Sequence, residues 1–104
     1  MTTVEPMLFL SGVNRLGSDH PEWDLHLPEH GERVCRVQVN FEQPFRLPPV
    51  VHVGLTGFDV SNEAAARLRV RAESITATGF ELVAETWLNS QVWSIDVSWL
   101  AAGA

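Results

Sequence analysis

Residues 33–41 read Arg33-Val34-Cys35-Arg36-Val37-Gln38-Val39-Asn40-Phe41. Cys35, Val37, Val39 and Phe41 alternate with Arg36, Gln38 and Asn40, so one face of the segment is apolar and the other polar. That period of two is the signature of a half-buried β-strand. Outward from it the pattern repeats. Val51, Val53 and Leu55 alternate with His52, Gly54 and Thr56. Leu68, Val70 and Ala72 alternate with Arg67, Arg69 and Arg71. Phe80, Leu82 and Ala84 alternate with Glu81, Val83 and Glu85. Trp93, Ile95, Val97 and Trp99 alternate with Ser94, Asp96 and Ser98. Pro44, Pro48 and Pro49 punctuate the chain where a strand can start or lie at an edge, because proline has no donor for a ladder. Gly57 to Ala66 reads as a connection with one helical turn at Glu63–Ala66.

Toward the N-terminus the pattern breaks. Residues 12–32 carry Gly12, Gly17, Pro21, Pro28 and Gly31, three of the four histidines and many carboxylates. They read as a long loop region with a short strand at Trp23–Leu27. Six or seven short strands separated by turn residues give an all-β antiparallel sandwich, not a helical bundle.

The chain has 104 residues, which suits one domain over 1–104: a loop-rich segment 1–32 and a strand-rich core 33–100. Its seven cations are all Arg, and against thirteen Asp plus Glu they leave a formal charge of −6. That balance argues against binding a nucleic-acid backbone, which needs clustered positive charge. A lone cysteine, Cys35, excludes an intrachain disulfide. The first eleven residues lack a basic start and hold only a four-residue apolar run, Met7 to Leu10, too short for a signal-peptide core. No run has the length of a membrane span. The expectation is a soluble protein without membrane insertion, cytoplasmic or exported by a route that needs no signal.

Catalytic chemistry finds little support. Cys35 lies mid-strand on the apolar face, where a buried core thiol is expected. No nucleophile elbow, phosphate-cradling loop or dinucleotide fingerprint is present. His20, His26 and His30, with Asp19, Glu22, Asp24 and Glu29, have suitable donor types for a cation but match no defined spacing, so a solvated loop is expected, with no metal and no cofactor. A hydrolase or metal enzyme built on that loop would lack an ordered nucleophile and base. Arg67, Arg69 and Arg71 form a row on one side of a strand, read as a solvated face paired with Glu81 and Glu85. The tryptophans carry more. Trp99 has core parity, Trp93 lies near a strand start where a rim position is open to it, and Trp87 has the parity opposite to the core set. An aromatic ring beside an Arg and a carboxylate is the chemistry of a sugar site.

The ordered set Phe41, Phe45-Arg46-Leu47-Pro48-Pro49-Val50-Val51, Leu55-Thr56-Gly57-Phe58-Asp59-Val60, Arg67-Leu68-Arg69-Val70, Thr78-Gly79-Phe80, Thr86-Trp87 and Val97-Ser98-Trp99 resembles the H-type lectin domain of the snail agglutinins and of the C-terminal part of the discoidins. The resemblance covers about Val39 to Leu100. It implies a six-stranded antiparallel β-sandwich, a homotrimer, no enzymatic reaction, and sites near protomer boundaries for glycans ending in galactose or N-acetylgalactosamine. It also implies roles: Arg67 donates to the sugar, Trp87 packs against its ring, and Trp93 stands where the agglutinins place another aromatic. Leu88 replaces an agglutinin His, trading a polar contact for an apolar one. The agglutinins' upstream Gly-Arg-Asp loop is about four residues shorter here, with Gly31-Glu32 as its counterpart. These departures support a rival reading, the same trimeric sandwich with a dead sugar site, serving assembly or attachment.

Overall fold

The computed structural model describes residues 6–28 and 31–104. Among them are six strands: β1 (Leu8–Gly17), β2 (Arg33–Asn40), β3 (Val50–Val60), β4 (Arg69–Glu73), β5 (Gly79–Thr86) and β6 (Val92–Gly103). They form two three-stranded antiparallel sheets, ordered β1-β6-β3 and β2-β5-β4, packed as an all-β sandwich.

The core lies between the sheets, as the alternation requires. On one side Cys35, Val37 and Val39 of β2 stand opposite Ala84, Leu82 and Phe80 of β5. On the other, Ile95, Val97, Trp99 and Ala101 of β6 meet Leu16, Asn14, Gly12 and Leu10 of β1. Phe80, Leu82, Ala84 and Val97 are wholly buried. Phe41 and Phe45 plug one end; their rings lie 5.2 Å apart, edge to face, and their N–H groups donate to the carbonyls of Thr78 and Ala77. Burial of this set supplies the main favourable term in folding.

Three expectations need correction. First, β1 occupies ten residues, Leu8–Gly17, most of them in the segment read as loop. Its inward positions are Leu8, Leu10, Gly12, Asn14 and Leu16, and Gly12 and Asn14 break the apolar period. Both serve Trp99. A Cβ on Gly12 would stand 2.7 Å from the indole, and Asn14 Oδ1 accepts the indole N–H at 3.1 Å. Second, Trp23–Leu27 is no strand. Trp23 N–H donates to His20 O, and Leu27 N–H to Asp24 O, which makes successive turns. The segment plugs the other end of the sandwich: Trp23 is buried with its Nε1–H on Val92 O at 2.9 Å. Third, β3 runs on to Val60, and Glu63–Ala66 contains turns and no helix. Register shifts between Leu55 and Gly57 and between Asp59 and Val60 interrupt the alternation, and a bulge of that kind hides a strand from period counting.

The outer face of the β2-β5-β4 sheet carries a charged ladder. Glu85 accepts from Arg69 at 3.0 Å and from Arg71 at 2.8 Å. Arg71 also pairs with Glu73, and Arg36 joins Glu73 at 3.1 Å to Glu81 at 2.7 Å. The Arg71 and Arg36 guanidinium groups hold the Glu73 carboxyl below the usual carboxylate range. The expected solvated, paired row is therefore present for Arg69 and Arg71, and Arg67 stands outside it. Cys35 is buried; burial first, then the Glu22 and Asp24 charges, push its thiol up.

A groove around Trp87

Trp87 follows the last residue of β5 and is half-buried. Extending the ladders by one residue places it opposite Glu32, since Arg33 pairs with Thr86. The alternation that sends Glu85 to the outer face sends Trp87 there too. Glu32, Arg69, Glu85 and Trp87 line an open concavity of about 350 Å³. The Arg69 guanidinium lies 5.0 Å from the centre of the Trp87 ring, a cation–π distance. Glu85 fixes Arg69 from below while only 6% of its own side chain is exposed. An aromatic surface, a planar donor and carboxylate acceptors thus meet at one place, which is what a polyhydroxylated ring needs.

The upstream loop is brought to this groove by a buried cation. Arg33 is 4% exposed. Its Nη2 donates to Leu88 O at 2.7 Å, its Nη1 to Leu27 O at 2.7 Å, and its Nε to Gly31 O at 3.3 Å. Gly31 N–H also donates to Leu88 O, at 3.3 Å. Gly31 has φ +119°, which favours glycine. Leu88 has φ +55° in the turn that Ser90 N–H closes on Trp87 O. A non-glycine residue in that region is strained, and the two donors on its carbonyl hold it there. Its side chain stays exposed beside Trp87.

Of the residues expected to form a site, Gly31, Glu32, Trp87 and Leu88 are therefore brought together. Arg67 reaches the turn just beyond them, with Nη1 on Asn89 Oδ1 and Ser90 Oγ, both at 3.1 Å. Trp93 is 41% exposed, its ring lies 5.1 Å from that of His26, and it does not line the groove. Sequence reasoning missed Arg33, Arg69 and Glu85 as parts of this groove. The outward parity of Arg69 and Glu85 was visible. A buried Arg at a strand start gives no signal in the sequence. Among the described residues, no group of three His, Cys, Asp or Glu is placed to hold a metal ion; His30 and Glu29 of the expected cluster lie outside them. No helix of the described residues is long and apolar enough to cross a membrane.

Comparison with known proteins bears on this geometry. The model of the H-type lectin domain matches residues 36–102. A protein of Fuscovulum blasticum described as ATP synthase subunits region ORF 7 is 36% identical over 93 residues, which are 89% of this chain and 81% of that protein. Among solved structures, wild-type discoidin II from Dictyostelium discoideum superposes with TM-score 0.81 at 24% identity, over 99% of this chain and 39% of that one. The chain thus spans well under half the length of discoidin II. The tailspike protein gp49 of Pseudomonas phage LKA1 follows with TM-score 0.66 at 19% identity, over 92% of this chain and 15% of that one. At such identities these structures speak for the fold alone.

Proposed function

The chain belongs to the H-type lectin domain family, and from that membership we propose that it binds carbohydrate at the Trp87 groove and performs no reaction. The observation that carries the proposal is the Trp87 ring set between Arg69, Glu85 and Glu32 in an open groove. A pyranose packs its C–H face on the ring while the charged groups exchange hydrogen bonds with its hydroxyls. Arg67, one turn away on Asn89 and Ser90, supplies a further donor, and Leu88 an apolar edge beside the ring. The ligand is a terminal galactose- or N-acetylgalactosamine-type sugar.

The working form is a homotrimer. Phe9, Ala102 and Val50 stand in one row across β1, β6 and β3 on the outer face, with Leu100 in the next row. Phe9 is 62% exposed and Val50 75%. A contiguous apolar face of that kind calls for a covering partner. A second copy supplies one, and sugar sites then come to lie near protomer boundaries.

A glycan array probed with the purified protein tests the function. Binding to terminal galactose or N-acetylgalactosamine, reduced by Trp87→Ala, is the expected result. A folded protein that binds no glycan would instead support the rival, a sandwich used only for assembly or attachment.

A further inference from the structure

A second groove, on the opposite side of the sandwich from β3 and β4, lies between the edges of β1 and β2, again of about 350 Å³. We propose that it is a separate saccharide site, selective for neutral sugars. Two glycines build it. Gly12 on β1 leaves room for the Trp99 indole, which a Cβ would strike at 2.7 Å. Gly79 on β5 leaves room first for the Val39 carbonyl, which a Cβ would strike at 2.3 Å, and then for the Gln38 amide, which it would meet at 2.9 Å. The polar groups left in the groove are oriented in advance by bonds within the chain. Trp99 Nε1 donates to Asn14 Oδ1 at 3.1 Å, so the Asn14 NH2 is turned away from the indole with its donors free of partners among the described residues. Gln38 Nε2 donates to Val39 O and to Asn40 Oδ1, both at 3.3 Å. That leaves the Gln38 carbonyl as an acceptor and the Asn40 NH2 as a donor. The Glu42 carboxylate completes the lining.

Alternating fixed donors and acceptors suit vicinal hydroxyls, each of which both gives and takes a hydrogen bond. Preset amides also lose little freedom on binding. β1 and β2 are edge strands, each paired on one side only, so main-chain N–H and C=O groups face the groove as well. Among the described residues no Arg lines it, and the one charged residue in the lining is Glu42. In a chain of net charge −6 that lining disfavours an anionic sugar. The site stands independently of the Trp87 groove.

The test follows tryptophan indole and side-chain amide signals by NMR during titration with galactose, N-acetylgalactosamine, glucose and mannose, and with glucuronate as the charged control. A neutral sugar should shift Trp99 Nε1–H and the amides of Asn14, Gln38 and Asn40, and should do so equally in Trp87→Ala. The Gln38→Ala, Asn40→Ala double variant changes exposed side chains only. It should weaken the Trp99 response about tenfold, the size of two lost neutral hydrogen bonds, and leave the Trp87 response intact. If no neutral sugar moves these signals, or if glucuronate moves them as strongly, or if the double variant responds like the wild type, the proposal falls. Movement at Trp99 without movement at Trp87 would sustain this site and count against the one under Proposed function.

Discussion

Arg33 shows how much one side chain decides here. A buried guanidinium bonded only to main-chain carbonyls keeps Gly31 and Leu88 together and holds Leu88 in its left-handed conformation. Arg33→Met keeps the bulk and removes the donors, leaving carbonyls of Leu27 and Leu88 short of partners. We expect a loss of about 2–3 kcal/mol in chemical denaturation, since an unmade buried bond costs more than a made one contributes. Trp87 and Trp99 make the opposite pair. Trp87→Ala and Arg67→Ala should each lower sugar affinity about tenfold, the scale of a lost charged or aromatic contact, with the circular dichroism spectrum unchanged. Trp99 packs against Phe41 and Phe80 at 5.8 and 5.5 Å. Its replacement by Ala should cost about 3–5 kcal/mol of stability as a core truncation. Equal sugar binding by Trp87→Ala and wild type would move the principal site elsewhere.

Among the elements, the outer face of β2-β5-β4 contributes to the response to acid. Glu73 is held below its ordinary range first by its bond to Arg71 and then by Arg36. A carboxyl that binds its proton less tightly when folded stabilises the protein above the unfolded value, about 4.3 for Glu. That contribution is lost as pH falls through the depressed folded value. The melting temperature should therefore decline from pH 5 downward, and Glu73→Gln should flatten the decline; a parallel decline in both would count against the ladder. β1 illustrates a different kind of element, a strand whose inner face is shaped by its neighbour. Gly12→Ala would press a methyl on the indole of Trp99, and overpacking of that kind costs about 1–3 kcal/mol, measurable by urea unfolding.

On the scale of the whole molecule, the row of Phe9, Ala102 and Val50 calls for a covering partner, and the number three is what the family resemblance implies. A domain this small has much surface for its volume, and covering that row adds apolar burial that the isolated sandwich lacks. Light scattering after size exclusion should give about three times the 11.6 kDa chain mass. A clean monomer at micromolar concentration would overturn the trimer. Three weak sites on such a trimer would bind a multivalent surface far more tightly than one, because each further contact forms at high effective concentration.

The sequence by itself determined the all-β class, five of the six strands in their approximate places, the inward parity of Cys35, Val97 and Phe80, and the outward parity of Trp87. These follow from the period of two, a local property readable without knowing any partner strand. It also carried the family, through the ordered residues from Phe41 to Trp99. Tertiary structure decided the rest. Gly12 and Asn14 look like loop residues until Trp99 is placed against them, so β1 was hidden by a contact 85 residues away in the chain. The bulges of β3 shift parity within a continuous strand. The Trp87 groove depends on Arg33, whose acceptors are the carbonyls of Leu25, Leu27, Gly31 and Leu88, and on Glu85, whose two arginine partners lie on the neighbouring strand. Such partners are fixed by which strands pair and in what register, and local alternation specifies neither.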